Sequence, residues 1–279
     1  MPRVSVVIPV YNRRALVGRA IRSVLAQTYS DYEILVVDDG SQDGSAAEVR
    51  SAFGDSVRLL QSKTNRGVSA ARNLAIGQAA GQWLAFLDSD DEWLPDKLER
   101  QMTALEEADM LVCHTEEIWV RNGVRVNAHK HHKKYGGEIF LQALPLCVMS
   151  PSSIVIHRDV FNAIGLFDET LPACEDYDLF LRLTCRYSVI FLDQPLIVKY
   201  GGHADQLSQT HFAMDRFRVY ALDKILQQGN EALDEAKRQA AVTVLLKKAG
   251  IVYKGACKHG NDELAQDMER YLARWQQIG

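Results

Sequence analysis

Carboxylates in this chain gather where a fold would use them for chemistry. The run Asp88-Ser89-Asp90-Asp91 sets three of them within four residues, directly after the apolar run Trp83 to Leu87. Charges that close repel one another and cost stability unless a cation or hydrogen-bond donors offset the repulsion. A divalent metal does so. Mg2+ and Mn2+ prefer oxygen ligands and are commonly held by one or two carboxylates plus substrate phosphates, so an Asp-x-Asp on a tight turn suits a nucleotide diphosphate. The plainer reading is an acidic helix start, since the same residues precede the helical pattern after Pro95. Asp38-Asp39-Gly40-Ser41 ends a second apolar run. A carboxylate there can accept the imide proton of a uracil or thymine ring, or a ribose hydroxyl; Asp-Asp-Gly-Ser is equally ordinary turn chemistry. Glu175, Asp176 and Asp178 form a third group ahead of the apolar run Leu179, Phe180, Leu181 and Leu183, where acidic side chains also complement a helix macrodipole.

Strands must carry these groups. Val4 to Ile8 is a continuous strand-like run followed by Pro9, Val10, Tyr11, Asn12 and Arg13. Ala15, Leu16, Ala20, Ile21, Val24 and Leu25 then recur at helical spacing, and Glu33 to Val37 reads as a second buried strand. Ala46 to Phe53 predicts a short helix, Val57 to Leu60 a third strand, Val68 to Ala79 a helix and Trp83 to Leu87 a fourth strand. This alternation implies a mostly parallel sheet with helices on both sides. Such sheets bind ligands at the carboxyl ends of their strands, where Tyr11, Asp39, Asn65-Arg66-Gly67 and Asp88 fall. After a helix over Asp96 to Glu107 the pattern loosens into mixed α+β, with strand candidates at Met110 to His114, Ile118 to Val120 and Ser153 to His157. The basic run His129 to Lys134 is either a solvated loop or a phosphate or acceptor contact. From about His211 the chain turns helical. Leu264, Met268, Tyr271, Leu272 and Trp275 share one helix face, which predicts a cap on the sheet or a partner surface such as a homodimer contact.

The 279 residues are enough for about two folding units. A hydrophobic share of 47% and a charged share of 24% are those of an ordinary globular chain. The formal net charge of −4 argues against nucleic acid as the main partner. Neither GxGxxG nor GxxxxGK occurs, which disfavours a dinucleotide-binding dehydrogenase and a P-loop NTPase. The five cysteines are odd in number and form no CxxC pair, so a reducing compartment fits better than a disulfide framework or zinc site. Apolar runs such as Val4 to Val10 fall far short of the roughly 18 residues that span a bilayer, and the start of the chain lacks a signal peptide's apolar core. A cytoplasmic location is expected, with peripheral contact at the inner membrane face left open.

Four segments in order carry a resemblance. Val4-Ser5-Val6-Val7-Ile8-Pro9-Val10-Tyr11-Asn12, the stretch from Val36 through Asp38-Asp39-Gly40-Ser41 to Ser45, Asn65-Arg66-Gly67-Val68-Ser69-Ala70-Ala71-Arg72-Asn73, and Phe86-Leu87-Asp88-Ser89-Asp90-Asp91 resemble family 2 glycosyltransferases of the GT-A fold. The likeness is strong to about residue 110 and extends through Phe167-Asp168-Glu169 and Glu175-Asp176-Tyr177-Asp178-Leu179 to about His203. It implies a nucleotide-sugar-binding half over 1–112, an acceptor and catalytic-base half over 113–207, and a helical extension over 208–279.

Residue by residue, the resemblance implies that Pro9, Tyr11, Asn12 and Arg13 lie at the nucleotide, that Asp39 accepts from the base, and that Arg66 lies near base or diphosphate. Asp88 and Asp90 become the Asp-x-Asp, Asp90 as the direct ligand of Mn2+ or Mg2+ and Asp88 nearer the ribose, with His203 as a candidate third ligand. Asp176 is the general base, with Glu175 on the acceptor side. The expected activity is an inverting transfer of a single sugar from a nucleotide diphosphate sugar, a UDP-sugar first, to a hydroxyl of a glycan or lipid-linked acceptor in bacterial surface glycan assembly. Single transfer is expected over polymer synthesis because the chain has neither transmembrane segments nor a Gln-x-x-Arg-Trp motif. Two alternatives stand beside it. A nucleotidyltransferase normally carries a Gly-rich basic loop, and Pro9 to Arg14 has no glycine; a non-catalytic nucleotide-sugar-binding module would bind without turnover.

Overall fold

The computed structural model describes residues 1–126, 133–202, 212–228 and 233–276. The chain divides into two compact units: Met1–Gly137 with Val148–Glu169 and Tyr187–Gly202, and Glu138–Cys147 with Thr170–Arg186 and His203–Gly279. These units cut across the expected divisions at residues 112 and 207, because strands from the middle third of the chain return to the sheet of the first.

The first unit is built on that sheet. Strand β1 (Val4–Val10) is buried along all seven residues, as a run apolar on both faces must be. It pairs in parallel with β2 (Tyr32–Asp38) and β4 (Trp83–Phe86), while β3 (Arg58–Gln61) pairs in parallel with β2. Helix α1 (Val17–Leu25) buries Val17, Ala20, Ile21 and Val24 in the core cluster that includes Val6, Ile8, Ile34 and Val36. Helices α2 (Ser45–Phe53), α3 (Val68–Gln78) and α4 (Lys97–Ala108) stand within a residue or two of the ranges their patterns predict.

Beyond β4 the sheet becomes mixed. The order is β3-β2-β1-β4-β8-β6-β9-β5, with β5 at Glu92–Trp93, β6 at Val112–Arg121, β8 at Val155–His157 and β9 at Ile190–Gly201; β7 (Val124–Val126) pairs with β6. β8 runs antiparallel to β4 and β6, whereas β6 and β9 are parallel. The strand candidates Met110 to His114 and Ile118 to Val120 merge into one strand whose register shifts around Glu116. Strand β9 escapes the sequence pattern because Pro195 interrupts it; Pro195 pairs with Glu116 at that irregularity, where a missing N–H is tolerated. Helix α6 (Arg158–Ile164) completes this unit.

The second unit is helical: α5 (Phe140–Ala143), α7 (Glu175–Thr184), α8 (Asp215–Gln227), α9 (Glu235–Lys258) and α10 (Asp262–Gln276). Leu264, Met268 and Trp275 of α10 are buried, and the Trp275 indole N–H donates to Asp223 Oδ1 at 2.8 Å. Of the face considered for a homodimer, Tyr271 and Leu272 are only partly buried. No helix among the described residues is long and apolar enough to cross a membrane.

Candidate active site

The loops that leave β1 and β2 are laced together. The Asn12 amide donates to Ser41 Oγ and its side-chain Oδ1 accepts from the Gln42 amide, both at 2.9 Å, which holds Asn12 at a φ of 51°. The Arg13 amide donates to Ser45 Oγ at 2.9 Å. Pro9 is buried in β1, and Tyr11 stands beyond it with 43% of its surface exposed, a ring free to meet a ligand.

The two adjacent aspartates part company. Asp38 Oδ1 accepts from the Ser41 amide at 2.7 Å, which is the turn chemistry. Asp39 is 3% exposed, and its Oδ2 accepts from the amides of Arg66 (2.9 Å) and Gly67 (2.7 Å). Its Oδ1 is buried with no partner. An unpaired buried carboxylate oxygen is costly, and an N–H or O–H donor from a ligand would satisfy it. Gly40, at φ +77°, lets the loop lie against residues 64 and 65; a Cβ there would come within 2.7 Å of the Thr64 carbonyl carbon. The Arg66 guanidinium bonds Glu169 at 2.9 Å, and Asn73 Nδ2 donates to the same carboxylate at 2.9 Å, tying the third motif to Phe167-Asp168-Glu169.

Asp88 to Asp91 form a turn closed by the Asp91 amide on the Asp88 carbonyl at 3.0 Å. They cap no helix: β5 intervenes, and α4 begins at Lys97 behind Asp96, which removes the helix-start reading. The three carboxylates have distinct surroundings. Asp88 Oδ1 receives the buried Arg72 guanidinium at 2.8 Å, whose face lies over Phe167. Asp91 is turned inward at 2% exposure and accepts from Ser152 Oγ at 2.6 Å and from the Tyr200 amide at 3.3 Å. Burial pushes Asp91 up to about 8, the Asp88 and Asp90 charges adding to it and Lys199 opposing. Asp90 is raised too, by burial first and then by Asp88, against Arg13 and Lys199.

Asp88 and Asp90 are the carboxylates of this turn that could offer oxygens to Mg2+ or Mn2+, cations commonly held by one or two carboxylates beside substrate phosphates. Among the described residues no group of three or more His, Cys, Asp or Glu is arranged to hold a metal. His203 lies outside the described residues. So do His129 to His132; of the rest of that basic run, Lys134 is buried and ion-paired with Glu117 at 3.1 Å, which also accepts from Ser150 Oγ. Lys134 is therefore neither a solvated side chain nor a phosphate contact.

In the second unit, α7 starts at Cys174, itself held at a φ of 61°. Glu175 and Asp178 are buried, leaving Asp176 the more open carboxylate of the first turn. Asp176 Oδ1 accepts from the Tyr177 amide at 2.7 Å. The Cys147 thiol also bonds Asp176, and burial with that neighbouring charge pushes the thiol well above its ordinary range, so it stays protonated and donates. Asp178 is structural: it pairs with Arg182 at 2.6 Å and Lys224 at 3.1 Å. Residues that pattern reading missed, Ser152, Arg19 and Tyr200, act through partners far away in sequence. Arg72 alone had a signal, its place in the third motif.

The GT-A fold and these motifs have matching relatives. Residues 5–165 match the model for Glycosyl transferase family 2, and residues 137–232 that for Glycosyltransferase like family 2. The chain belongs to glycosyl transferase family 2. It is 31% identical over 265 residues to an uncharacterized glycosyltransferase of Rickettsia prowazekii (strain Madrid E), covering 90% of this chain and 82% of that one. It is 29% identical over 216 residues to WfgD of Escherichia coli, the UDP-Glc:alpha-D-GlcNAc-diphosphoundecaprenol beta-1,3-glucosyltransferase, covering 77% and 81%. The chain spans only 35% and 32% of the length of two further glycosyltransferases it matches, from Rickettsia felis and Rickettsia conorii. In fold it is similar to S. aureus TarS in complex with UDP-GlcNAc, with a TM-score of 0.72 at 21% identity over 88% of this chain and 71% of that one. It is also similar to the mannosyltransferase PcManGT of Pyrobaculum calidifontis in complex with GDP-Man and Mn2+, with a TM-score of 0.61 at 18% identity over 99% and 86%.

Proposed function

We propose that this chain is an inverting glycosyltransferase that moves one sugar from a nucleotide diphosphate sugar, a UDP-sugar first, to a hydroxyl acceptor in bacterial glycan assembly. The observation that carries the proposal is Asp39, a buried carboxylate with one oxygen anchored by two backbone amides and the other without a partner. The imide N–H of uracil is the kind of donor that oxygen lacks. Pro9, Tyr11, Asn12 and Arg13 flank the nucleotide, Arg66 serves base or diphosphate, and Asp88 lies nearer the ribose. Mg2+ or Mn2+, held by Asp90 and Asp88 with His203 as a candidate further ligand, supplies positive charge to the departing diphosphate.

Asp176 takes the acceptor hydroxyl proton, and Glu175 serves the acceptor side. The hydroxyl oxygen bonds the anomeric carbon while the bond from that carbon to the diphosphate oxygen breaks. Attack from the face opposite the leaving group inverts the configuration. A base is needed because a sugar hydroxyl is far too weak an acid to ionise alone near neutral pH.

The donor class finds support in WfgD, named for UDP-Glc, and in TarS, solved with UDP-GlcNAc. The acceptor named for WfgD is a lipid-linked diphosphate, which a cytoplasmic enzyme would reach by peripheral contact with the inner membrane face. PcManGT, solved with GDP-Man and Mn2+, supports a second donor, since the guanine ring also carries N–H donors for Asp39. A thermal-shift screen of nucleotide sugars with and without Mn2+ separates them, because a bound donor raises stability by mass action. Stabilisation by a UDP-sugar, strengthened by Mn2+ and followed by UDP release with acceptor, is the expected result. Binding without nucleotide release from any donor would leave the non-catalytic module instead.

A further inference from the structure

We infer that Arg19 and Tyr200 form a clasp that positions Asp90 for its cation; the inference rests on the metal reading above. Arg19, on α1, donates from Nη2 to the Asp90 main-chain carbonyl, and its guanidinium carbon lies 3.6 Å from the centre of the Tyr200 ring. Tyr200, near the end of β9, is fixed at two further points. Its amide donates to Asp91 Oδ1 at 3.3 Å and its hydroxyl to Glu92 Oε2 at 2.9 Å. Glu92 is itself paired with Val198 in the β5–β9 ladder. On the other side, α1 is bound to the segment after the turn: the Trp93 amide donates to Ser23 Oγ at 3.1 Å, and Gln27 Nε2 to the Leu94 carbonyl at 2.8 Å. The guanidinium thus reaches from a helix tied to the segment after the turn onto a ring that is itself tied to the turn.

The choice of atom gives this arrangement its meaning. An arginine beside an acidic turn ordinarily seeks the carboxylate, as Arg72 does at Asp88. Arg19 takes the Asp90 carbonyl instead, so it fixes the backbone that aims the Asp90 side chain without itself occupying the carboxylate. Restraint is needed there because two carboxylates only two residues apart on one turn repel each other and would push the turn open. The clasp also costs something on its own account: Arg19 Nε is buried without a hydrogen-bond partner. Outer residues that orient metal ligands typically change metal affinity by about 10- to 100-fold when altered.

The test is calorimetry of UDP binding with and without Mn2+, on full-length protein whose folding is checked by thermal melting. In Arg19→Lys, which keeps the charge but loses the planar fork and the stack, the gain in UDP affinity from Mn2+ should fall by about tenfold or more. Metal-free UDP affinity should stay at the wild-type value. Tyr200→Phe keeps the ring under Arg19 and should stay close to wild type, whereas Tyr200→Leu removes the platform and should follow Arg19→Lys, which keeps the test open if the arginine variant fails to fold. Wild-type enzyme and both disruptive variants gaining equally from Mn2+ would overturn the clasp alone. A wild-type enzyme indifferent to Mn2+ would overturn the metal reading and the clasp together.

Discussion

Replacing Asp39 with asparagine separates its two oxygens. Oδ2 holds the Arg66 and Gly67 amides, and an asparagine oxygen can go on accepting from both. Its amide nitrogen then occupies the place of Oδ1, turning the one unpartnered acceptor into a donor that faces the donor of the base. A hydrogen bond to a charged group contributes about 1.5–3 kcal/mol, so UDP affinity should fall by about ten- to a hundredfold. The loss should be the same with and without Mn2+, because Asp39 acts on the base. Asp39→Ala should add a second effect: the Arg66 amide loses its acceptor, at about 1–3 kcal/mol if it is left unsatisfied, while the Gly67 amide keeps Asn65 Oδ1 at 2.9 Å, so it should melt earlier than Asp39→Asn. Calorimetry with UDP and uridine, alongside thermal melting of both variants, reads all of this. An Asp39→Asn protein that binds UDP within about twofold of wild type, well inside the cost of that hydrogen bond, would refute the base contact; a loss seen only with Mn2+ present would refute it equally.

Three other outcomes follow from the geometry. Asp176→Asn should keep donor affinity while turnover, read as nucleotide release at saturating donor, falls by roughly 10² to 10⁴, the usual worth of a positioned base. Asp178→Asn should cost stability, because breaking a buried ion pair is worth about 3–5 kcal/mol; its melting temperature should drop clearly while turnover per folded molecule stays near native. His114, whose Nε2–H donates to the Tyr135 carbonyl at 2.8 Å, is pushed down to about 3 by burial and by the Lys134 charge. A lowered histidine contributes stability that is present above its unfolded value of 6.5 and lost as pH falls toward 3. Between pH 6.5 and 4.5 that loss is about 2 to 3 kcal/mol, and denaturant unfolding at the two pH values should show His114→Gln losing less stability than the parent by about that amount.

What could be read from the sequence and what could not divide along a physical line. The run Val4 to Val10 is apolar at successive positions, which only a strand buried on both faces tolerates, and β1 lies between β2 and β4 with all seven residues buried. The strand ends, and with them Tyr11, Asp39 and Asp88, follow from such local periods. The duties of the polar residues do not. Spacing alone cannot say which of Asp88, Asp90 and Asp91 turns inward; Ser152 and Tyr200 decide that, and they are more than sixty and one hundred residues along the chain. Nor can it say which of Asp38 and Asp39 keeps an oxygen without a partner, since that depends on the Arg66 and Gly67 amides. Lys134 looks like part of a solvated basic loop until Glu117, itself held by Ser150, is brought to it. Strand β9 is broken on paper by Pro195, and only the neighbouring strand's irregularity at Glu116 shows that the sheet absorbs it. Periodicity describes an element by its own residues, whereas a carboxylate's role is set by which donors reach it. Acidic motifs therefore mark where a site is, and long-range hydrogen bonds decide which of their oxygens remain for a ligand.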